Sequence, residues 1–234
     1  YAFSRSDISF ELRIKSVEQL SSNYVVNANT LFDLYRSSPY EGKEKMHDAI
    51  RTVIELDKSL FLFLNRLGSE KIDPIWVFIS NQNWMFVFLA LIIIPNLYFK
   101  FGSKTLYYMT FILLCFGLTD LIHLHIFKNL FMRLRPCWDP EISNLCRIVV
   151  EKGGLYGFVS GHAANSTAIV TLFLLRLRSK SNFLKISLIT WLFLVSFSRI
   201  YLGKHFPLDV IFGCVLGLIT AYIFSRIMDK VKFI

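Results

Sequence analysis

The chain has 234 residues, 54% of them hydrophobic and 16% aromatic, including 23 Phe, and its mean hydropathy is +0.47. That excludes an ordinary soluble domain of this size, because several windows of about 20 residues are apolar enough to cross a bilayer. The net charge of +9 does not point to nucleic acid: residues 1–45 hold six basic and six acidic side chains, so the excess lies wholly in the apolar part and flanks the apolar runs.

Residues 1–45 are polar and mixed. Phe10, Ile14 and Val17 suggest one helix, and Asn29-Thr30 ahead of Leu31, Phe32, Leu34 and Tyr35 resembles a cap on another. The sequence opens with Tyr, so an upstream piece is expected to be missing or processed, and 1–45 is read as an extramembrane segment without an assigned role. From about Lys45 to Leu67 the pattern turns amphipathic. Ile50, Val53, Ile54, Leu60, Phe61 and Leu64 recur at helical spacing, with Arg51, Glu55, Asp57 and Lys58 opposite, which suits an interfacial helix.

Five membrane spans are expected beyond Gly68, at 76–99, 106–127, 158–175, 183–202 and 206–228. The fold class is therefore all-α: an integral membrane helical bundle over residues 46–234, preceded by the amphipathic helix. If the spans alternate, Lys100, Lys104, Arg176, Arg178, Lys180, Lys185, Arg226, Lys230 and Lys232 share one side, opposed by Asp229, and the positive-inside rule makes that side cytoplasmic. The ends carrying residues 128–157 and 199–205 then face outward.

Polarity inside the apolar part marks candidate chemistry. Asp120, Lys128 and Arg135 are spaced by eight and seven residues, within roughly 80° of one helix face, and Pro136 stops that helix. Two cations aimed from one face suit a phosphate; the alternative is basic residues snorkelling to lipid headgroups. Asp120, His123 and His125 do not make a convincing metal trio, since the two histidines point to opposite flanks. Cys137 and Cys146 share one loop, where an oxidising compartment permits a bridge, while Cys115 and Cys214 lie within spans as small core residues. The loop runs through Gly153-Gly154 into Ser160-Gly161-His162 and a helix from Ala163. Ser160 and Gly161 thus sit at a helix N-terminus, a natural anion site, where Gly161 lets the backbone approach closely. Asn165-Ser166-Thr167 reads as a polar helix face rather than a glycosylation acceptor.

The last polar stretch is 198–209. Pro207 suits the first turn of a helix, so a helix begins right after His205, with the carboxylate of Asp209 four residues on and placed to take the second ring N–H of His205. Asp209 and His205 as a simple capping pair at the membrane edge is the plainer alternative.

These three stretches occur in order as Lys128, six residues, Arg135-Pro136; then Ser160-Gly161-His162; then Ser198-Arg199, five residues, His205, three residues, Asp209. The set resembles the signature of the type 2 phosphatidic acid phosphatase family, membrane relatives of bacterial acid phosphatases and vanadium haloperoxidases. The resemblance runs from about Leu56 to Ile234 and departs from the signature at Val159, where the family has Pro. It implies a lipid phosphatase in which His205, oriented by Asp209, attacks phosphorus and forms a phosphohistidine, and His162 moves the proton. Lys128, Arg135, Arg199, Ser160 and Gly161 would hold the phosphate, and no metal or other cofactor is required. Removing one such cation should cost about 2.7–4 kcal/mol, by analogy with losing one oxyanion-hole donor.

The expected partners are the bilayer and a lipid phosphate, with undecaprenyl diphosphate, lipid A, phosphatidylglycerol phosphate and phosphatidic acid as candidates and nucleic acid excluded. The expected location is a bacterial inner membrane, with the site facing the extracytoplasmic side. A phosphotransferase using the same phosphohistidine and a catalytically inert lipid-phosphate binding or transport protein are the competing readings.

Overall fold

The computed structural model describes residues 41–178 and 181–231; the helices expected within 1–40, and Lys180 and Lys232, lie outside the described residues. The chain divides into two compact units, 1–55 and 56–234. Among the described residues there is no strand, only an isolated antiparallel bridge between Leu134 and Tyr156. The helices are α1 Glu41–Arg66, α2 Asp73–Ser80, α3 Gln82–Phe101, α4 Thr105–Leu121, α5 Gly161–Leu177, α6 Asn182–Tyr201 and α7 Pro207–Lys230.

Among the described residues, three stretches are long and apolar enough to cross a membrane: Gln82–Phe131, Asn182–Tyr201 and Pro207–Lys230. The first folds as α3 and α4 with a single 3₁₀ turn, Gly102–Lys104, between them. Apolar side chains such as Leu91, Phe99, Leu106 and Phe183 lie exposed on the outside of these helices, which is the surface a bilayer covers. The first expected span, 76–99, is broken instead at Asn81. Its side chain accepts the backbone N–H groups of Asn83 and Trp84, so α2 ends at Ser80 and a new helix begins at Gln82.

Helix α5 is the core of the bundle, with Ala163 to Val170, Leu172, Phe173 and Leu177 all buried. It runs alongside α7 at very short range because α7 carries Gly213 and Gly217 one turn apart. A Cβ on Gly213 would lie 2.6 Å from the Ser160 carbonyl, and one on Gly217 would overlap the Ala164 carbonyl. Two glycines at i, i+4 facing small residues let helix backbones touch inside a membrane. The consequence is positional: the N-terminal ends of α5 and α7, with Ser160 to His162 and His205 to Asp209, are brought side by side, and the Ser160 N–H donates to the Asp209 carbonyl at 2.8 Å.

The amphipathic helix turns an unexpected face to the protein. In its second half Asp57, Phe61 and Asn65 are buried, while Leu56, Leu60 and Phe63 are exposed. Lys58 pairs with Asp139 at 3.2 Å and Glu141 at 2.6 Å. Asn65 donates to the carbonyls of Arg147 and Tyr201 at 3.0 and 2.9 Å and accepts the Arg147 N–H at 2.7 Å. Polar side chains expected to face water therefore clamp the 133–157 loop and the end of α6.

Candidate active site

The first motif does not form one helix face. After α4 the chain widens into a π-helical turn, Ile122–Phe127, then one more helical turn, Lys128–Phe131, which ends at Met132 in the left-handed region at φ 45°. Arg135 lies beyond the helix in an extended segment, so Asp120, Lys128 and Arg135 do not share the straight register expected. A π turn inserts extra rotation that a 100° periodicity does not contain. What aligns the segment instead is the loop: the Arg135 N–H donates to the Leu155 carbonyl at 3.0 Å, the Gly157 N–H to the Arg133 carbonyl at 2.8 Å, and Arg135 Nε to the Tyr156 carbonyl at 3.2 Å.

The second motif is placed as the sequence required. Ser160 is the N-cap of α5 and Gly161 its first residue, so the N–H groups of the first turn have no partner within the helix. Ser160 is fully buried and its Oγ has no hydrogen-bond partner among the described residues. The space above Gly161 is taken by the ring of His123: a Cβ there would overlap its Nε2. Glycine is required for that ring to approach, and the same ring lies 3.4 Å from Asp120, which also accepts from Asn165 at 2.8 Å.

The third motif folds as a tight turn. Leu202 to His205 double back on the end of α6, with the Lys204 and His205 N–H groups donating to the Arg199 carbonyl at 2.9 and 3.2 Å. Gly203 adopts φ 76°, and a Cβ there would sit 2.9 Å from the Arg147 carbonyl. Helix α7 then starts at Pro207, immediately after His205 and Phe206. His205 is 3% exposed, and burial together with the charges of Arg135, Arg199 and Lys128 holds its imidazole well below the usual histidine range, so it is neutral near pH 7. His162 in turn lies within electrostatic reach of Arg199, His205 and Arg135.

Asp209 is not the hydrogen-bond partner of His205. Its Oδ2 lies 3.6 Å from His205 Nδ1, and its two oxygens are used elsewhere: Oδ2 accepts the Phe206 N–H at 3.0 Å, capping α7, and Oδ1 accepts from Arg133 Nη1 at 2.8 Å. His205 Nδ1 is buried with no hydrogen-bond partner among the described residues.

Two groups in this cluster escaped the sequence analysis. Arg133 bridges Asp209 to Asp57 of α1, 2.5 Å from its Nη2, with its guanidinium 4.2 Å from the Phe206 ring centroid, and Asp57 also accepts the Leu208 N–H at 2.9 Å. Ser80, at the end of α2, accepts a hydrogen bond from Arg199 Nη1, and its backbone meets the His162 ring. Neither has a local pattern to betray it. Both partners lie far away in sequence.

Cys137 and Cys146 are free thiols donating to the carbonyls of Lys152 and Ile142, and burial pushes the Cys146 thiol up to about 11.

Residues 104–233 match the PAP2 superfamily. The chain is 30% identical over 177 residues to a lipid A 4'-phosphatase of Porphyromonas gingivalis, covering 75% of this chain and 74% of that one. It is 31% identical over 191 residues to a lipid A 4'-phosphatase of Bacteroides thetaiotaomicron, covering 77% and 80%. Its fold is similar to the crystal structure of a transmembrane PAP2 type phosphatidylglycerolphosphate phosphatase from Bacillus subtilis. The TM-score is 0.61 at 21% identity, over 77% of this chain and 88% of that one.

Proposed function

The chain belongs to the PAP2 superfamily, and from that premise we propose that it hydrolyses a lipid phosphate through a phosphohistidine formed on His205. Membrane lipid phosphatase is the activity its relatives carry; lipid A, or a related phosphorylated lipid, is the substrate their names favour here. The observation that carries the mechanism is the setting of His205: a buried, neutral imidazole acted on by three cations, Arg135, Arg199 and Lys128.

In the first step Nε2 of His205, the nitrogen away from Asp209, forms a bond to phosphorus as the phosphorus–oxygen bond to the lipid breaks. His162 gives the leaving oxygen its proton. In the second, His162 takes a proton from water, the water oxygen bonds to phosphorus, the phosphorus–nitrogen bond breaks and phosphate leaves. Lys128, Arg135 and Arg199, with Ser160 and the Gly161 N–H, hold the equatorial oxygens as charge shifts between the two ends of the transition state. Asp209 acts through Arg133 and the cap it gives Phe206, positioning the turn that carries His205 rather than bonding to the ring.

The basic residues Lys100, Lys104, Arg176, Arg178, Lys185, Arg226 and Lys230 support an orientation with the opposite end in the cytoplasm and the site on the extracytoplasmic face of a bacterial inner membrane. The test is phosphate release in detergent, with chelator present, from lipid A, undecaprenyl diphosphate, phosphatidylglycerol phosphate and phosphatidic acid. Wild-type turnover with ³²P captured on acid-labile histidine is the expected result, lost in His205→Ala. Full turnover by His205→Ala overturns the mechanism.

A further inference from the structure

The mechanism gives no role to Lys204. Lys204 stands next to the nucleophile, is 8% exposed, and has no carboxylate at ion-pair distance among the described residues. The charges that act on it are mainly like charges, Arg135 and Arg199, with Cys137 and the exposed Glu151 contributing less; burial is the largest influence, and it holds the ammonium below the usual lysine range.

The space it faces is shaped by a missing side chain. Gly153, at φ 71°, lies where a Cβ would be 3.1 Å from Arg135 Nη1 and 3.4 Å from Lys204 Nζ. Any side chain there would fill the gap on which the two cations converge. The loop holding Gly153 is fixed from outside, because its carbonyl accepts Trp138 Nε1 at 3.2 Å while Lys152 lies 4.6 Å from the Trp138 ring centroid. Two cations converging on a cradle without a carboxylate make an anion site. One phosphoryl group already has three cations, a hydroxyl and a helix N-terminus.

We propose that Lys204 and Arg135 form a second anion subsite, which binds a phosphate of the substrate other than the one transferred. The proposal rests on the lipid phosphatase reading and extends it to a substrate class: lipids bearing two phosphates, either in one diphosphate or on separate positions of the headgroup. Arg135 spans the two subsites. Lys204 belongs to the second.

The experiment compares wild type, Lys204→Gln and Lys204→Arg on a lipid diphosphate, a bis-phosphorylated glucosamine-disaccharide lipid and a lipid monophosphate. The expected result is that Lys204→Gln lowers kcat/KM for a two-phosphate lipid at least 10-fold more than for the monophosphate, while Lys204→Arg keeps the wild-type ratio. The two-phosphate lipid showing the differential loss identifies which arrangement is read. Equal losses on all three lipids, or a Lys204→Arg as impaired as Lys204→Gln, overturn the proposal.

A second measurement is independent of turnover. The thermal midpoint of the detergent-solubilised full chain should rise more with inorganic pyrophosphate than with orthophosphate, and that preference should vanish in Lys204→Gln. An unchanged preference in the variant refutes the subsite even if the lipid assay finds an active phosphatase. A preference lost in the variant supports it even if none of the three lipids is turned over.

Discussion

Arg133→Met is the most informative perturbation. Arg133 is the shared partner of two carboxylates whose side chains are nearly inaccessible, Asp57 at 2% and Asp209 at 0%, and it reaches them at 2.5 and 2.8 Å. Removing one member of a buried ion pair costs about 3–5 kcal/mol, chiefly because the stranded charge stays buried. Here the guanidinium is 22% exposed and each carboxylate keeps one backbone N–H, from Leu208 and Phe206, so the lower end applies, about 3 kcal/mol. For a chain of this length that corresponds to a fall of about 6–12 °C in the thermal midpoint. Loss of an outer partner also loosens the turn bearing His205, so kcat should fall about 10–100-fold, as when groups supporting a catalytic ligand are removed.

The assay is thermal inactivation of lipid phosphate hydrolysis in detergent, with kcat measured well below the midpoint. Adding Asp57→Asn should recover part of the lost midpoint, because one of the two stranded charges is then gone while Asp209 stays unpaired. A midpoint within 1 °C of wild type in Arg133→Met, or a double variant whose loss is the sum of the two single losses, would refute the reasoning.

Two further outcomes follow from the site and the bundle. His205 must be neutral to attack, and its proton affinity is depressed below the ordinary value of 6.5, so activity rises with pH through that lower value: the acid limb of kcat/KM lies below pH 6.5. Arg135→Gln should move the limb upward by removing repulsion of the imidazolium, and a wild-type limb at or above pH 6.5 counts against the assignment. In the bundle, Gly217→Ala forces a Cβ into the Ala164 carbonyl and should cost about 1–3 kcal/mol of stability, whereas Gly117→Ala meets nothing within 4 Å and should leave the thermal midpoint unchanged or raised. Equal midpoints for the two variants would remove the close-packed α5–α7 contact as the organiser of the site.

Much of this protein is written locally. Apolar runs long enough for a bilayer, Pro207 at a helix start and Ser160-Gly161 at another depend only on neighbours along the chain, and the structure puts helix ends at those positions. The three motifs are legible for the same reason: each keeps its chemistry within about ten residues. Gly213 and Gly217, one helical turn apart, are local in the same sense: a small-residue stripe on one face of α7.

Tertiary structure decided what those residues touch. The π turn at Ile122–Phe127 breaks a register that periodicity alone treats as continuous, and the Asn81 cap breaks an apolar run that looks unbroken. Asp209 sits four residues from His205, yet its oxygens go to Phe206 and to Arg133, 76 residues away, and Asp57 joins them across 151 residues through Leu208. Such pairings follow from which helix faces the close α5–α7 contact presses together, and a sequence carries no period that records them. Composition and local order fix where the chain enters the bilayer and which side chains bear chemistry; the partner of each buried charge is settled only when distant segments compete for the same oxygen.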